Sequence, residues 1–263
     1  MSDPFAQAGD TAPRIAVFTD FDGTLVEIAD TPDAVTLPDG LADDLDRAAQ
    51  ELDQAFAVIT GREIADIDHF LAPLRLPVAG AHGAQRRRAD GSLEAADEAM
   101  LAAARDIARA IAPLAVSHPR LLVEEKAGAV ALHFRQAPEL EGACRLAMEE
   151  ALIDHPAFSL IAGKMVFEAR PAGRDKGAAL RAFMQEEPFA GRTPIFIGDD
   201  RTDEDAFRAA QELGGIGIKL GPGDTAARMR IADIPSVFAL LRGLGEIARR
   251  RHEDDAPSGP VTH

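Results

Sequence analysis

Asp20 and Asp22 stand two residues apart in Thr19-Asp20-Phe21-Asp22-Gly23-Thr24-Leu25, directly after the apolar run Ile15-Ala16-Val17-Phe18. Carboxylates at that spacing can share one side where a strand ends, and Gly23 lets the backbone turn sharply just beyond them. Three further stretches have matching chemical character. Thr60-Gly61 follows the apolar run Phe56-Ala57-Val58-Ile59, Lys176 opens a helical pattern, and Gly198-Asp199-Asp200-Arg201-Thr202-Asp203-Glu204-Asp205 follows Ile195-Phe196-Ile197. Acids, a hydroxyl and one lysine suit a hard oxygen-liganded cation and a phosphoryl group. A lone pair of acids is as often a solvated turn, and the Asp199–Asp205 run lacks the full spacing of a calcium loop. The weight rests on all four stretches meeting in one crevice.

An open parallel α/β sheet brings such stretches together, because its strands end on one edge and ligands bind there. The apolar runs read as buried parallel strands. Apolar positions at helical spacing predict a helix over 36–52, with Pro38 in its first turn, and a second over 63–71. This strand-helix rhythm predicts a doubly wound, Rossmann-like parallel sheet. It breaks after a short strand at 77–80. There follow a charged, turn-rich stretch at 85–91, an Ala-rich helix at 94–114, and strands at 120–125 and 130–134 joined by Lys126-Ala127-Gly128 as a hairpin. A helix at 139–153 and strands at 158–162 and 165–169 complete an α+β block, after which the first rhythm resumes. The expected organisation is a leader at 1–13, a core at 14–85 and 172–250, an inserted α+β cap at 86–171, and a tail at 251–263.

Composition narrows the function. The 263 residues are 46% apolar and carry a formal charge of −16. That charge argues against a nucleic-acid footprint and against attraction to an anionic membrane. No stretch reaches the roughly 20 apolar residues of a membrane span, and the start of the chain has no apolar signal region. Cytoplasm is the default expectation, and of the oligomeric states, which the sequence leaves open, a monomer is favoured. Cys144 is the only cysteine and reads as a core thiol. Tyr and Trp are absent, so recognition by stacking would fall to Phe.

The four stretches resemble the haloacid dehalogenase superfamily of aspartate-nucleophile phosphatases. Its D-x-D-x-T motif is Asp20-Phe21-Asp22-Gly23-Thr24, and a Thr, a Lys and a Gly-Asp-Asp follow in the superfamily's order. Thr60 and Lys176 stand 116 residues apart, the interval in which that superfamily inserts its larger, C2-type cap. Over 14–240 the chain resembles the trehalose-6-phosphate phosphatase family more closely. The matching stretches are Ile59-Thr60-Gly61-Arg62, Gly80-Ala81-His82-Gly83-Ala84, Val123-Glu124-Glu125-Lys126, Ala131-Leu132-His133-Phe134-Arg135, Glu168-Ala169-Arg170-Pro171 with Gly173 and Lys176-Gly177, and Gly198 to Glu204. Gln85, Phe134 and Asp175 depart from the family's usual Glu, Tyr, and Asn or Ser.

The resemblance implies hydrolysis of trehalose 6-phosphate, a small phosphosugar, in trehalose biosynthesis. Asp20 would attack phosphorus and carry the phosphoryl group, and Asp22 would protonate the departing sugar oxygen and later deprotonate water. Mg²⁺ would be held by Asp20, the main-chain carbonyl of Asp22 and Asp199, with Asp203 completing the metal group from behind. Thr60, Gly61, Lys176 and the N–H groups of Phe21 and Asp22 would hold phosphoryl oxygens. Glu124, Lys126, Glu168 and His82 would face the sugar. Three other readings stay open: a phosphatase for another sugar or polyol phosphate, a regulatory pseudo-phosphatase, and a metal-dependent glycosyltransferase with its own D-x-D.

Overall fold

The computed structural model describes residues 13–29, 34–94, 98–126, 128–163 and 165–255, the side chains of His82 and of residues 252–255 excepted. The chain divides into two compact units, Met1–Ser92 with Asp175–His263, and Leu93–Arg174. The first unit begins with β1 (Ile15–Thr19), α1 (Leu41–Glu51), β2 (Phe56–Ile59), α2 (Ile64–Leu71), β3 (Val78–Gly80) and β4 (Gln85–Arg87). A two-residue strand β5 (Leu93–Glu94) leads into α3 (Glu98–Ser117), β6 (Leu122–Lys126), β7 (Ala129–His133), α4 (Glu141–Leu152), β8 (Phe158–Gly163) and β9 (Val166–Pro171) of the second. The first unit is completed by α5 (Lys176–Phe183), β10 (Thr193–Gly198), α6 (Glu204–Glu212), β11 (Ile216–Leu220), β12 (Met229–Ile231) and α7 (Ile234–Asp255).

Its strands run in the order β12-β11-β10-β1-β2-β3-β4. Neighbours from β12 to β3 are parallel, and β4 returns antiparallel to β3. Strands from β1 onward step outward to one side, whereas β10 to β12 step outward to the other. The order therefore reverses between β1 and β10, where an open sheet forms its ligand crevice. Both faces are covered. Ile15 and Val17 pack toward α1, α2 and α7, while Ala16 and Phe18 pack toward α5 and α6. Burial on both sides is why these strands read as unbroken apolar runs.

The second unit is a four-stranded antiparallel sheet in the order β6-β7-β9-β8. On one face, Ile107 and Ile111 of α3 and Cys144 and Met148 of α4 bury against Val130, Leu132 and Phe167. No helix among the described residues is long and apolar enough to cross a membrane.

Several expectations shift. The helix expected over 36–52 starts at Leu41, because Gly40 adopts φ 75, ψ 10, outside the helical region, at its N-cap. Pro38 therefore precedes the helix, its carbonyl accepting from Leu41 N–H at 3.1 Å. Residues 85–87, read as turn-rich, form β4, with Arg87 opposite Val78 and Arg86 opposite Ala79. The second unit thus begins at Leu93 rather than at residue 86. Lys126 ends a strand instead of occupying the turn, opposite Ala129. α7 continues through residues expected as tail. Residues 1–12 of the expected leader and 256–263 of the tail lie outside the described residues.

Candidate active site

Asp20 follows β1 and extends its ladder, its N–H donating to the carbonyl of Ile197 on β10 at 2.9 Å. The residue is 5% exposed. Lys176, the first residue of α5, lies on the face toward which Ala16 and Phe18 point, and its Nζ stands 2.9 Å from Asp20 Oδ1 and 2.7 Å from Asp203 Oδ1. Asp175, the departure just before it, caps α5 by accepting from Ala178 N–H at 2.8 Å, as the usual residues there would. Burial pushes the Asp20 carboxyl well above its ordinary range; Lys176 opposes that and Asp203 reinforces it. Burial alone would lower the Lys176 pKa, but Asp20, Asp203 and Asp200 outweigh it and the net shift is upward. The lysine is therefore a fixed cation beside the nucleophile candidate.

The loop after β10 is built around Asp203. Its Oδ1 accepts from Lys176, and its Oδ2 accepts from the N–H groups of Asp199 at 2.9 Å and Asp200 at 3.0 Å. Both oxygens are thus engaged in holding the loop. Asp200 caps the short turn Arg201–Asp203, accepting from Thr202 N–H at 2.7 Å. Carboxylate oxygens of Asp20, Asp199 and Asp203 lie within 4.8 Å of one another, a hard-donor set of the kind that holds Mg²⁺. Gly23 is shaped to this group: it sits at φ +75, and a Cβ there would fall 2.2 Å from Asp199 Oδ2. Burial, then Asp203 and Asp200, push the Asp199 carboxyl up to about 6, with Lys176 and Lys219 pulling it back. Lys176 offsets part of the repulsion among these acids, and a bound cation would offset more of it.

Lys219 escaped the sequence reading. It sits on β11 opposite Gly198, is buried, and donates from Nζ to the carbonyl of Asp199 and, at 3.1 Å, to that of Leu220. The one available signal was a lysine inside the apolar strand Ile216-Gly217-Ile218-Lys219-Leu220.

Asp22 has a different partner. Its carboxylate is gripped at both oxygens by Arg62, Nε to Oδ2 at 2.7 Å and Nη2 to Oδ1 at 2.8 Å. Thr60, at the end of β2, is buried, and its hydroxyl oxygen accepts from Arg62 N–H at 3.2 Å. Gly61 lies between them. Gln85 accepts from Ile64 N–H at 3.1 Å, capping α2. His82 lies in the turn Ala81–Gly83, with its side chain outside the described residues.

In the second unit, Glu124, Lys126 and Glu168 gather on the sheet face opposite the helices. Ala131 lies between Glu124 and Glu168 in register, and Lys126 Nζ stands 3.8 Å from Glu124 and 3.6 Å from Glu168. His133, which the sequence reading left in its motif without a role, joins them through Nε2, 2.8 Å from Glu124 Oε2. Phe134 faces the other way: it is buried against Phe167, ring centroids 5.1 Å apart. The loss of a tyrosine hydroxyl there leaves the polar face untouched.

Comparison with known proteins gives this arrangement relatives. The trehalose-phosphatase family model matches residues 18–234. The chain is 38% identical over 255 residues to the trehalose-6-phosphate phosphatase of Escherichia coli (strain K12), covering 97% of this chain and 96% of that one. It is 42% identical over 233 residues to a probable trehalose-phosphate phosphatase of Sinorhizobium fredii, covering 87% and 85%. Among solved structures, a trehalose-6-phosphate phosphatase related protein superposes with a TM-score of 0.71 at 27% identity, over 90% of this chain and 99% of that one. The match spans both units and every stretch that carries the acids, the hydroxyl and the lysine, and so the chain belongs to the trehalose-phosphatase family.

Proposed function

We propose that this protein is a Mg²⁺-dependent phosphoric monoester hydrolase that converts trehalose 6-phosphate to trehalose and phosphate. The observation that carries the reading is a buried carboxylate, Asp20, 2.9 Å from a buried ammonium, Lys176, at the point where the strand order reverses. Such a pair can present a nucleophile to an anionic phosphoryl group while offsetting its charge. An Asp20 carboxylate oxygen attacks phosphorus as the bond to the sugar oxygen breaks, and that oxygen takes a proton from Asp22. In the second half, Asp22 accepts a proton from water as the water oxygen attacks the phosphoaspartate, freeing phosphate and restoring Asp20. Thr60, Lys176 and the N–H groups of Phe21, Asp22 and Gly61 hold the phosphoryl oxygens.

Asp20, the main-chain carbonyl of Asp22, and Asp199 would hold Mg²⁺, which supplies charge neutralisation between carboxylate and phosphate. Asp203, with both oxygens already bonded, serves by fixing Asp199 and Lys176. Glu124, Lys126 and Glu168 offer acceptors and a donor to sugar hydroxyls, and His82 is assigned with them from its motif. Phosphate release from trehalose 6-phosphate, glucose 6-phosphate and sucrose 6-phosphate with Mg²⁺ tests the assignment. Preference for trehalose 6-phosphate is the expected result. Preference for another phosphosugar overturns the named substrate, and no turnover of any would point to a regulatory protein.

A further inference from the structure

Arg62 follows the phosphoryl-binding candidate Thr60 by two residues, and nothing in the reaction above uses it. Its side chain is only 13% exposed, and the surroundings fix it along its whole length. The backbone N–H donates to Thr60 Oγ1 at 3.2 Å, and its carbonyl accepts from Ala81 N–H at 2.8 Å. The guanidinium lies over the Phe70 ring, 5.0 Å from its centroid. Phe70 in turn stacks on Phe21, with centroids 5.8 Å apart and planes 14° from parallel. Phe21 is fully buried between the two acids of the first motif. A planar cation clamped on a ring has little freedom to turn, and its fork meets both Asp22 oxygens at 2.7 and 2.8 Å. Asp22, by contrast, is 32% exposed at its side chain. Arg62 is thus the rigid partner and Asp22 the guided one.

We propose that Arg62 is a positioning residue that sets the direction in which Asp22 meets the leaving oxygen. The loop after β2 would then do two jobs: Thr60 grips the phosphoryl group and Arg62 aims the proton donor at the atom leaving it. The inference rests on the reading of Asp22 as the proton carrier. In the step concerned, the phosphorus–sugar oxygen bond breaks, its electron pair stays on the sugar oxygen, and that oxygen takes the Asp22 proton while Asp20 gains phosphorus. A guanidinium fork can fix a carboxylate in two dimensions, which a point-charge ammonium does not.

The test compares Arg62→Met, Arg62→Lys and Asp22→Ala on two substrates, trehalose 6-phosphate and p-nitrophenyl phosphate, whose phenolate leaves without needing a proton. Misplacing a catalytic group by about 1 Å costs on the order of 10²-fold. Arg62→Met is accordingly expected to lose about 10²-fold in kcat on the sugar phosphate and several-fold less on the activated ester, with Arg62→Lys between it and the wild type. In an Asp22→Ala background, Arg62→Met should add no further loss. Equal losses on the two substrates, or a further loss in that background, would overturn the proposal and make Arg62 a phosphate contact or a packing residue. If Asp22→Ala itself showed no difference between the substrates, the proton-carrier reading would fall first and the positioning role with it. Thermal melts of each variant separate a folding defect from these outcomes, and Arg62→Lys keeps the test alive if the methionine variant is poorly folded.

Discussion

Replacing Gly23 by alanine is expected to damage cation binding far more than folding. At φ +75 a side chain is strained, at a cost of about 1–2 kcal/mol for an L-residue in the left-handed region. For a chain of this size that corresponds to roughly 2–8 °C in Tm. The larger effect is steric. The new methyl would sit 2.2 Å from Asp199 Oδ2, 2.5 Å from its Cγ and 2.7 Å from Oδ1. Ordinary carbon contacts lie near 3.5–4.0 Å, so the carboxylate must retreat by roughly 1 Å. A displacement of that size costs about 10²-fold in turnover. Gly40→Ala is the matched control: Gly40 also has φ +75, but nothing lies within 4 Å of its Cβ position. Calorimetric Mg²⁺ titration, thermal melts and kcat on trehalose 6-phosphate should show both variants losing stability and Gly23→Ala alone losing Mg²⁺ affinity and turnover. Unchanged Mg²⁺ affinity in Gly23→Ala would refute the assignment of Asp199 as a ligand.

Lys219→Met should weaken Mg²⁺ about 10- to 100-fold, the usual loss when a group supporting a metal ligand is removed, while KM for the phosphosugar moves little; isothermal titration of the variant checks this. Asp199 gives a pH dependence with a defined sign. Its folded pKa, about 6, exceeds the ordinary 3.8, so the folded state binds more protons across that window and metal-free stability falls as pH rises through it. Mg²⁺ replaces the lost protons, so its stabilising shift in Tm should be larger at about pH 7.5 than at about pH 5. Lys126→Ala and Glu168→Ala should raise KM for trehalose 6-phosphate more than for glucose 6-phosphate, measured by phosphate release; an equal change for both would remove these two residues from sugar selection.

The parts legible in the chain were those that local pattern dictates. Phe56-Ala57-Val58-Ile59 is buried on both faces and coincides with β2, because an apolar run with turn signals after it has few other homes. The four chemical stretches were legible because parallel strands end on a common edge, so position along each strand predicts where its following residues gather. Pairings across long separations were not. Arg62 meets Asp22 across 40 positions and Lys219 meets Asp199 across 20, and neither spacing has a local signature. The edge strand β12, three residues long, carries too little alternation to declare itself. Gly40 shortened α1 through a single backbone angle, which hydrophobic spacing does not register.

In the proposed reaction Asp20 carries the phosphoryl group. A single turnover of trehalose 6-phosphate with excess enzyme and Mg²⁺, quenched rapidly in acid and followed by peptide mass analysis, tests it directly. A transient phosphoryl adduct is expected on the peptide containing Asp20, rising before free phosphate and absent from Asp20→Asn, which should also lose turnover. Phosphate appearing with no phosphoprotein, or an Asp20→Asn variant that still turns over, would contradict it.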